Sequence, residues 1–196
     1  MLWLILAIAL WGTIHSLFAS LSFKNFLRRT LGDGFMKFYR LLYNLFALIS
    51  IAPVLYLMNA LPDKDLYHVP TPWSYFMLAG QAISALFLLV AVLQTDMLSF
   101  AGLRQLAEEE RTGKLVTNGL YRFVRHPLYT FSLLVLWLFP SVTANSFIVY
   151  LALTIYVLVG VFFEECKLLR EFGRDYASYR AVTPMLVPGL KLRGNK

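Results

Sequence analysis

The chain is poor in charge and in the residues that build covalent or metal frameworks. Only 15% of its 196 residues are charged, where a soluble domain carries about 25%. Hydrophobic residues make up 59%, and a soluble domain of this length has no interior able to hide so much apolar surface. Hydrocarbon must therefore be part of its solvent. A single cysteine, Cys166, excludes an internal disulfide framework and any cysteine-rich zinc site. The histidines, His15, His68 and His126, are too scattered to form a metal motif, and no metal site is expected. There is no internal repeat and no low-complexity tract. The net charge of +7 would suggest nucleic-acid binding in a soluble protein. Here the basic residues flank apolar runs, which reads as membrane topology, so no nucleic-acid partner is expected. No obligate protein partner is evident either.

What remains is an all-α integral membrane pattern. The first apolar run, residues 2–21, has no charge and no basic segment before it, so it reads as a retained span rather than a cleaved signal. A second covers residues 39–61 and contains Pro53, which can kink a helix without ending it. A third covers residues 73–94, introduced by His68-Val69-Pro70-Thr71-Pro72. Each approaches the ~20 residues needed to cross a ~30 Å hydrocarbon core. The last stretch, residues 128–163, is interrupted by Pro140-Ser141-Val142-Thr143-Ala144-Asn145-Ser146, turn and capping types that imply a helical hairpin. Its first arm is short for a full crossing. The expectation is about five transmembrane helices: a three-helix region over residues 1–93, then residues 94–196 with the hairpin and a cytosolic cap.

Every basic residue except Lys64 lies after the first run, between the third run and the hairpin, or in the C-terminal segment. By the positive-inside rule the N-terminus is outside and the C-terminus cytosolic, a parity that five spans satisfy. Two polar segments then meet on the cytosolic side. Residues 94–127 include Glu108-Glu109-Glu110-Arg111 and read as an interfacial helix and loop. Residues 164–196 start helical and end with Pro184 and Pro188. Neither can form its own core, so they read as two halves of a cap.

Chemistry concentrates at the joints. Gly119-Leu120-Tyr121-Arg122-Phe123-Val124-Arg125-His126-Pro127-Leu128-Tyr129 places two arginines, a histidine and two tyrosines before the hairpin. Pro127 can occupy the first helical position, where backbone N–H groups and His126 suit a polar ligand head. An interfacial belt of tyrosine and arginine is the plainer alternative, and both stay open. Glu164-Glu165 follows directly on an apolar run. Carboxylates at a membrane boundary need a partner or a ligand; one can hold a cation, or pair with Arg125 or Arg122. Beyond them Leu168, Phe172, Tyr176 and Tyr179 recur at helical spacing, with Gly173 interrupting. Cys166 adjoins two carboxylates, which disfavour a thiolate, and is read as structural. His15, within the first span, reads first as bonded to a neighbouring helix.

Together, Gly119-x-Tyr121…Arg125-His126-Pro127-x-Tyr129 and Glu164-Glu165-x-x-Leu168-x-x-x-Phe172-Gly173-x-x-Tyr176-x-x-Tyr179, closed by Pro184 and Pro188, resemble the integral membrane methyltransferases. That superfamily includes isoprenylcysteine carboxyl methyltransferase and the phospholipid methyltransferases. Phe100-Ala101-Gly102-Leu103-Arg104-Gln105, Pro140-Ser141-Val142-Thr143 and Pro184-Met185-Leu186-Val187-Pro188 are similar to the methanethiol S-methyltransferase and NnrU-like branch; His15-Ser16 with Lys24 is similar more weakly. The resemblance implies S-adenosyl-L-methionine as cofactor. It implies cofactor contacts from His126, Pro127, Tyr129 and Glu165, with backbone of Gly119, Leu120 and Tyr121. Glu164 lies nearer the methyl group, and Glu164 and Arg125 are expected to flank the reacting centre. Isoprenylcysteine enzymes tend to carry an arginine just before the glutamates, whereas residues 157–163 have no basic residue. A thiol or other small or lipid-like nucleophile is therefore favoured over a prenylcysteine carboxylate. Such a thiol must lose a proton, to His126 or Glu164, with Arg125 stabilising the thiolate. Two other readings follow from similar strings: a non-enzymatic NnrU-like accessory protein, and a sterol-reductase-like enzyme using a nicotinamide cofactor. The short loops suit a prokaryotic inner membrane.

Overall fold

The computed structural model describes residues 1–95, 101–104 and 114–190. The expected interfacial helix around Glu108–Arg111 lies outside the described residues, as do Phe100 and Gln105 of the string quoted above. The described chain is helical, with two short strands, and falls into two compact units. The first holds Met1–Leu66, residues 101–104 and Thr143–Val149; the second holds Tyr67–Thr95, residues 114–142 and residues 150–190.

In the first unit, α1 (Leu2–Ala19) stops at Ser20, whose extended backbone and hydroxyl, accepting from the Phe23 N–H at 3.2 Å, cap the next helix. That helix, α2 (Leu21–Ser50), is broken at Gly32 (φ 78°), a conformation that favours glycine. Its first part carries Lys24, Arg28 and Arg29. Only its second part continues the expected span, joined by α3 (Ala52–Ala60). Pro53 sits in the first turn of α3, where no N–H bond is lost. Polar groups on α1 find partners on α2, as a low-dielectric setting demands. Trp11 donates to Ser50 at 3.1 Å, and Tyr43 Oη meets His15 Nε2 at 2.6 Å. His15 is thus bonded to a neighbouring helix. Gly102 (φ 87°) lies so close to α2 that a Cβ would come 2.5 Å from the Leu41 nitrogen.

In the second unit, α4 (Trp73–Gln94) packs on α5 (Pro127–Trp137) through Phe87 against Phe131 and a bond from Gln81 Nε2 to the Val135 carbonyl at 2.8 Å. The boundary between the units falls within two paired strands, β1 (Asp65–His68) and β2 (Ser141–Thr143). The long helix α6 (Ala144–Phe172) follows, then Gly173 (φ 53°) and α7 (Arg174–Val182). The periodic run from Leu168 to Tyr179 is therefore two helices, broken where the glycine stands.

The helical membrane class is as expected, and among the described residues four helical stretches have the length and composition to cross a bilayer: Leu2–Ala19, Leu21–Ala60, Trp73–Gln94 and Ala144–Phe172. The fifth, α5, has 11 residues, only about 17 Å at 1.5 Å per residue. It stops because Leu138 leaves the helical region and residues 141–143 become strand. The hairpin nevertheless keeps its register. Trp137 Nε1 donates to Thr154 at 2.9 Å while the other end of α5 meets Glu165. Leu138 to Val142 continues as non-helical chain, with Phe139 stacked on Tyr150 of α6. Extended chain rises about twice as fast per residue as helix, so it substitutes for the missing turns.

The start of α6 is locked by Asp63 in the first unit. Its carboxylate accepts from the Asn145 N–H at 2.9 Å and the Lys64 N–H at 2.8 Å. Burial works to raise its pKa, but bonds from Thr143, Asn145, Lys64 and Ala144 outweigh it and leave the carboxyl below its ordinary 3.8. A depressed folded-state pKa contributes stability present above the unfolded pKa and lost as pH falls through the folded one. Acidification from pH 5 to below 3.8 is therefore expected to destabilise the wild type more than Asp63→Ala, by a small amount because Asp63 is exposed. Thermal unfolding of both proteins across that range checks it, and parallel curves refute it.

Candidate active site

The second unit gathers the charged motif residues at one end of the hairpin. Pro127 starts α5 and is buried, and His126 immediately before it is buried too. The backbone there is held by the C-terminal segment. Arg125 N–H donates to the Pro184 carbonyl at 2.9 Å and His126 N–H to the Met185 carbonyl at 3.2 Å. Thr130, one turn into α5, donates to the Leu186 carbonyl at 2.8 Å. The segment closing on Pro188 is thus a strap across the Arg125-His126-Pro127 turn. Pro184 suits it because its carbonyl is the group in use and a missing N–H costs nothing.

At the centre stands Glu165, its side chain 9% exposed. Its Oε1 accepts from Arg125 Nε at 2.6 Å, His126 Nε2 at 3.2 Å and Tyr176 Oη at 3.2 Å. Arg125 Nη2 also reaches Oε1 at 2.6 Å, and Arg180 Nε lies 3.5 Å from Oε2. Arg125 Nη1 donates to the carbonyls of Arg180 and Thr183. All three guanidinium nitrogens are therefore engaged, and Arg125 ties the turn before α5 to α6 and to the end of α7. Buried, hydrogen-bonded pairs of this kind hold geometry.

Glu164 stands beside this hub and differs from it. Its side chain is 39% exposed, but its Oε2 is buried, 3.9 Å from His126 Nδ1, and has no hydrogen-bond partner among the described residues. The carboxylate pair diverges on the helix as i and i+1 must. Glu165 is held by three donors on Oε1; Glu164 has a buried oxygen to offer.

The Gly119–Arg122 segment forms a single 3₁₀ turn. Its Leu120 N–H donates to Gln94 Oε1 at 2.8 Å, and the Tyr121 carbonyl accepts from Tyr179 Oη at 2.5 Å. Burial, with the Glu164 charge adding to it, pushes the Tyr121 phenol up to about 12. Burial also carries Tyr179 to about 12, and Tyr176 is raised as well. All three phenols stay protonated at neutral pH, and those of Tyr176 and Tyr179 act as donors. Gly119 has φ 59°, and a Cβ there would lie 2.5 Å from the Gln94 amide. Gly119→Ala is expected to cost about 1–3 kcal/mol from the left-handed backbone and to lose the Leu120–Gln94 bond. Gln94→Ala in the same chain relieves only the clash. Thermal unfolding of the single and double variants tests this; a Gly119→Ala protein as stable as wild type refutes it.

Tyr129 faces His126, ring centroids 5.8 Å apart. The residues singled out in the sequence, Gly119 to Tyr129 with Glu164 and Glu165, thus lie in one unit. Those the sequence reading missed are Gln94, Arg180 and the Thr183–Met185 carbonyls. Tyr176 and Tyr179, which recur at helical spacing, also donate hydrogen bonds through their hydroxyls. Gln94 had a visible signal, the polar end of an apolar run. Carbonyls have none. A cavity of about 280 Å³ opens beside Glu165, lined also by Leu158, Phe162, Cys166, Arg180 and Met185. A second, of about 360 Å³, is apolar and borders the 3₁₀ turn at Leu120.

The family model described as NnrU protein matches residues 3–189. The chain belongs to the NnrU family. Among curated proteins, this NnrU-family chain is 35% identical over 130 residues to a methanethiol S-methyltransferase of Crocosphaera subtropica, covering 60% of the chain and 51% of that protein. It is 28% identical over 198 residues to the methanethiol S-methyltransferase of Pseudomonas deceptionensis, covering 95% of the chain and 72% of the relative. A 74-residue stretch is 49% identical to methanethiol S-methyltransferase 2 of Bradyrhizobium diazoefficiens, covering 38% of the chain and 29% of that protein. The chain spans about half the length of the Crocosphaera relative. No solved structure matches it.

Proposed function

We propose that this NnrU-family membrane protein transfers a methyl group from S-adenosyl-L-methionine to a small or lipophilic thiol. The observation that carries the reading is the buried Glu164 Oε2, lacking a hydrogen-bond partner among the described residues, beside a charged hub and a cavity. A buried acceptor without a donor is costly unless a ligand supplies one. An amino-acid ammonium or a ribose hydroxyl of the cofactor supplies such a donor, so the residues present fit that group. His126, Tyr129 and Glu164 would hold its polar part, with Glu165, Pro127 and the Gly119-Leu120-Tyr121 turn shaping the site. The cofactor brings an electrophilic methyl on a sulfonium. That relatives are methanethiol S-methyltransferases by name supports a thiol as acceptor.

The chain's own residues do the rest. Glu165 and Arg125 fix the turn before α5 against α6, so His126 is oriented before any ligand arrives. The thiol needs a proton acceptor, and His126 or Glu164 takes that role. Membrane lipid surrounds the apolar helices, and the methyl acceptor is the expected small-molecule partner. The inner membrane of a prokaryote, with the N-terminus outside and the site in the cytosol, is the placement that the basic residues favour.

The test is calorimetric titration of S-adenosyl-L-methionine into the detergent-purified protein, followed by methyl transfer to a series of simple thiols. Nicotinamide dinucleotide phosphate serves as the control ligand. Saturable binding that weakens at least about tenfold in His126→Ala is expected, equivalent to one charge-assisted contact. A folded protein that binds no S-adenosyl-L-methionine hands the case to the accessory-protein reading that the family name allows. Binding of the nicotinamide cofactor instead hands it to the reductase.

A further inference from the structure

The cavity beside Glu165 has an apolar wall, from Leu158, Phe162 and Met185, and two charged groups, Glu165 and Arg180. Arg125, expected from sequence to stabilise a thiolate, is committed elsewhere. Its side chain is 8% exposed, and its nitrogens are spread over Glu165 and the carbonyls of Arg180 and Thr183. Arg180 is placed differently. Its side chain is 47% exposed and its Nε stands 3.5 Å from Glu165 Oε2, against 2.6 Å for each Arg125 contact with Glu165 Oε1. Glu165 Oε1 is met by Arg125, His126 and Tyr176, and Oε2 meets Arg180 at 3.5 Å, a longer contact that leaves the half-exposed guanidinium at the cavity edge. A cation held loosely at the edge of an apolar cavity suits a soft anion with a hydrocarbon body.

We propose that Arg180 is the thiolate-binding residue: it holds the sulfur of an uncharged, apolar thiol whose hydrocarbon part lies against Leu158, Phe162 and Met185. The proposal rests on the methyltransferase reading above and names its acceptor subsite. In the reaction the thiol S–H gives its proton to the base beside Glu165, His126 or Glu164. A sulfur lone pair forms the new sulfur–methyl bond. The methyl–sulfonium bond breaks, its electron pair staying on the departing sulfur. Arg180 stabilises the anion before that bond forms and releases a neutral thioether, for which it has no charge attraction. Thiols bearing a carboxylate or ammonium group fit the apolar wall poorly and are excluded by desolvation.

The groups that titrate or carry charge around Arg180 and Glu165 are Glu164 and Cys166 on α6, Arg125 and His126 before α5, and Tyr176 and Tyr179 on α7. The test therefore uses a Cys166→Ser background, so that the ligand is the one titrating thiol. Thiophenol is added to the purified full chain without methyl donor, and its thiolate is followed by near-ultraviolet absorbance across pH. A nearby guanidinium is expected to raise the thiolate-to-thiol ratio of the bound ligand by about tenfold or more over free thiophenol, read on the acid side of its titration. Arg180→Ala should abolish that rise, and Arg180→Lys should keep most of it. Neither change touches the Arg180 carbonyl that accepts from Arg125, and unfolding curves verify the fold. With the methyl donor present, Arg180→Ala should lower kcat/KM most for the least acidic thiols. An unchanged thiolate fraction in Arg180→Ala, or an equal loss across thiols of graded acidity, overturns the proposal while S-adenosyl-L-methionine binding stands. If wild type binds no S-adenosyl-L-methionine, the methyltransferase reading fails and this one with it.

Discussion

Glu165→Ala is expected to destabilise the protein by about 3–5 kcal/mol, the usual cost of removing one member of a buried ion pair. The cause is the set of donors it would strand. Arg125 would lose both contacts of 2.6 Å, and His126 and Tyr176 would lose their 3.2 Å bonds. The Arg125 charge, 8% exposed, would remain without its counter-ion. The strap from Thr183 to Leu186 would loosen too, because Arg125 and His126 hold it through their backbone and side chains. Methyl-donor binding should vanish together with stability. The diagnostic comparison is Arg125→Met with Glu165→Leu in one chain, where neither charge is left stranded. That protein should recover much of the lost stability, as apolar replacement of a buried pair usually does, yet remain unable to bind the donor. Thermal unfolding in detergent beside calorimetry reads both quantities. A Glu165→Ala protein as stable as wild type would show that the hub does not hold the site.

Glu164→Gln should behave in the opposite way. Its side chain is half-buried, and Oε2 has no hydrogen-bond partner among the described residues, so replacing it strands nothing. Stability should change by no more than about 0.5 kcal/mol, as at other sites without a lost partner. Donor affinity should fall about 10- to 100-fold, since a charged acceptor contributes about 1.5–3 kcal/mol to one hydrogen bond. The adjacent pair thus splits cleanly: one carboxylate builds the site and the other serves the ligand. If Glu164→Gln binds S-adenosyl-L-methionine as tightly as wild type, the division is wrong and the buried Oε2 is a structural accident.

The contrast also explains what could be read in advance. Low charge and apolar runs declared a helical membrane protein, because solvent choice depends on composition alone. The Gly119 to Tyr129 and Glu164-Glu165 strings were legible as site motifs, since chemistry of this kind needs particular side chains in short windows. Pro127 at the start of α5 and the break at Gly173 followed from backbone rules that act within a few residues. The short first arm of the hairpin was legible in Pro140-Ser141-Val142-Thr143, but the extended path after Trp137, with β2 paired to β1, was not. Strand pairing joins positions some 75 residues apart, which no local pattern records.

The division of labour at the site is of the same long-range kind. From residue types, Arg125 was the natural thiolate partner and Arg180 an ordinary basic residue of an amphipathic helix. Their surroundings part because Arg125 meets Glu165, 40 positions away, and the carbonyl of Thr183, 58 away, whereas Arg180 lines a cavity edge. The sequence by itself determined the solvent, the helical class and which strings of polar side chains stand out from the apolar runs. Only the tertiary structure decided which of two carboxylates and which of two arginines is buried and engaged, because that depends on partners brought together by folding.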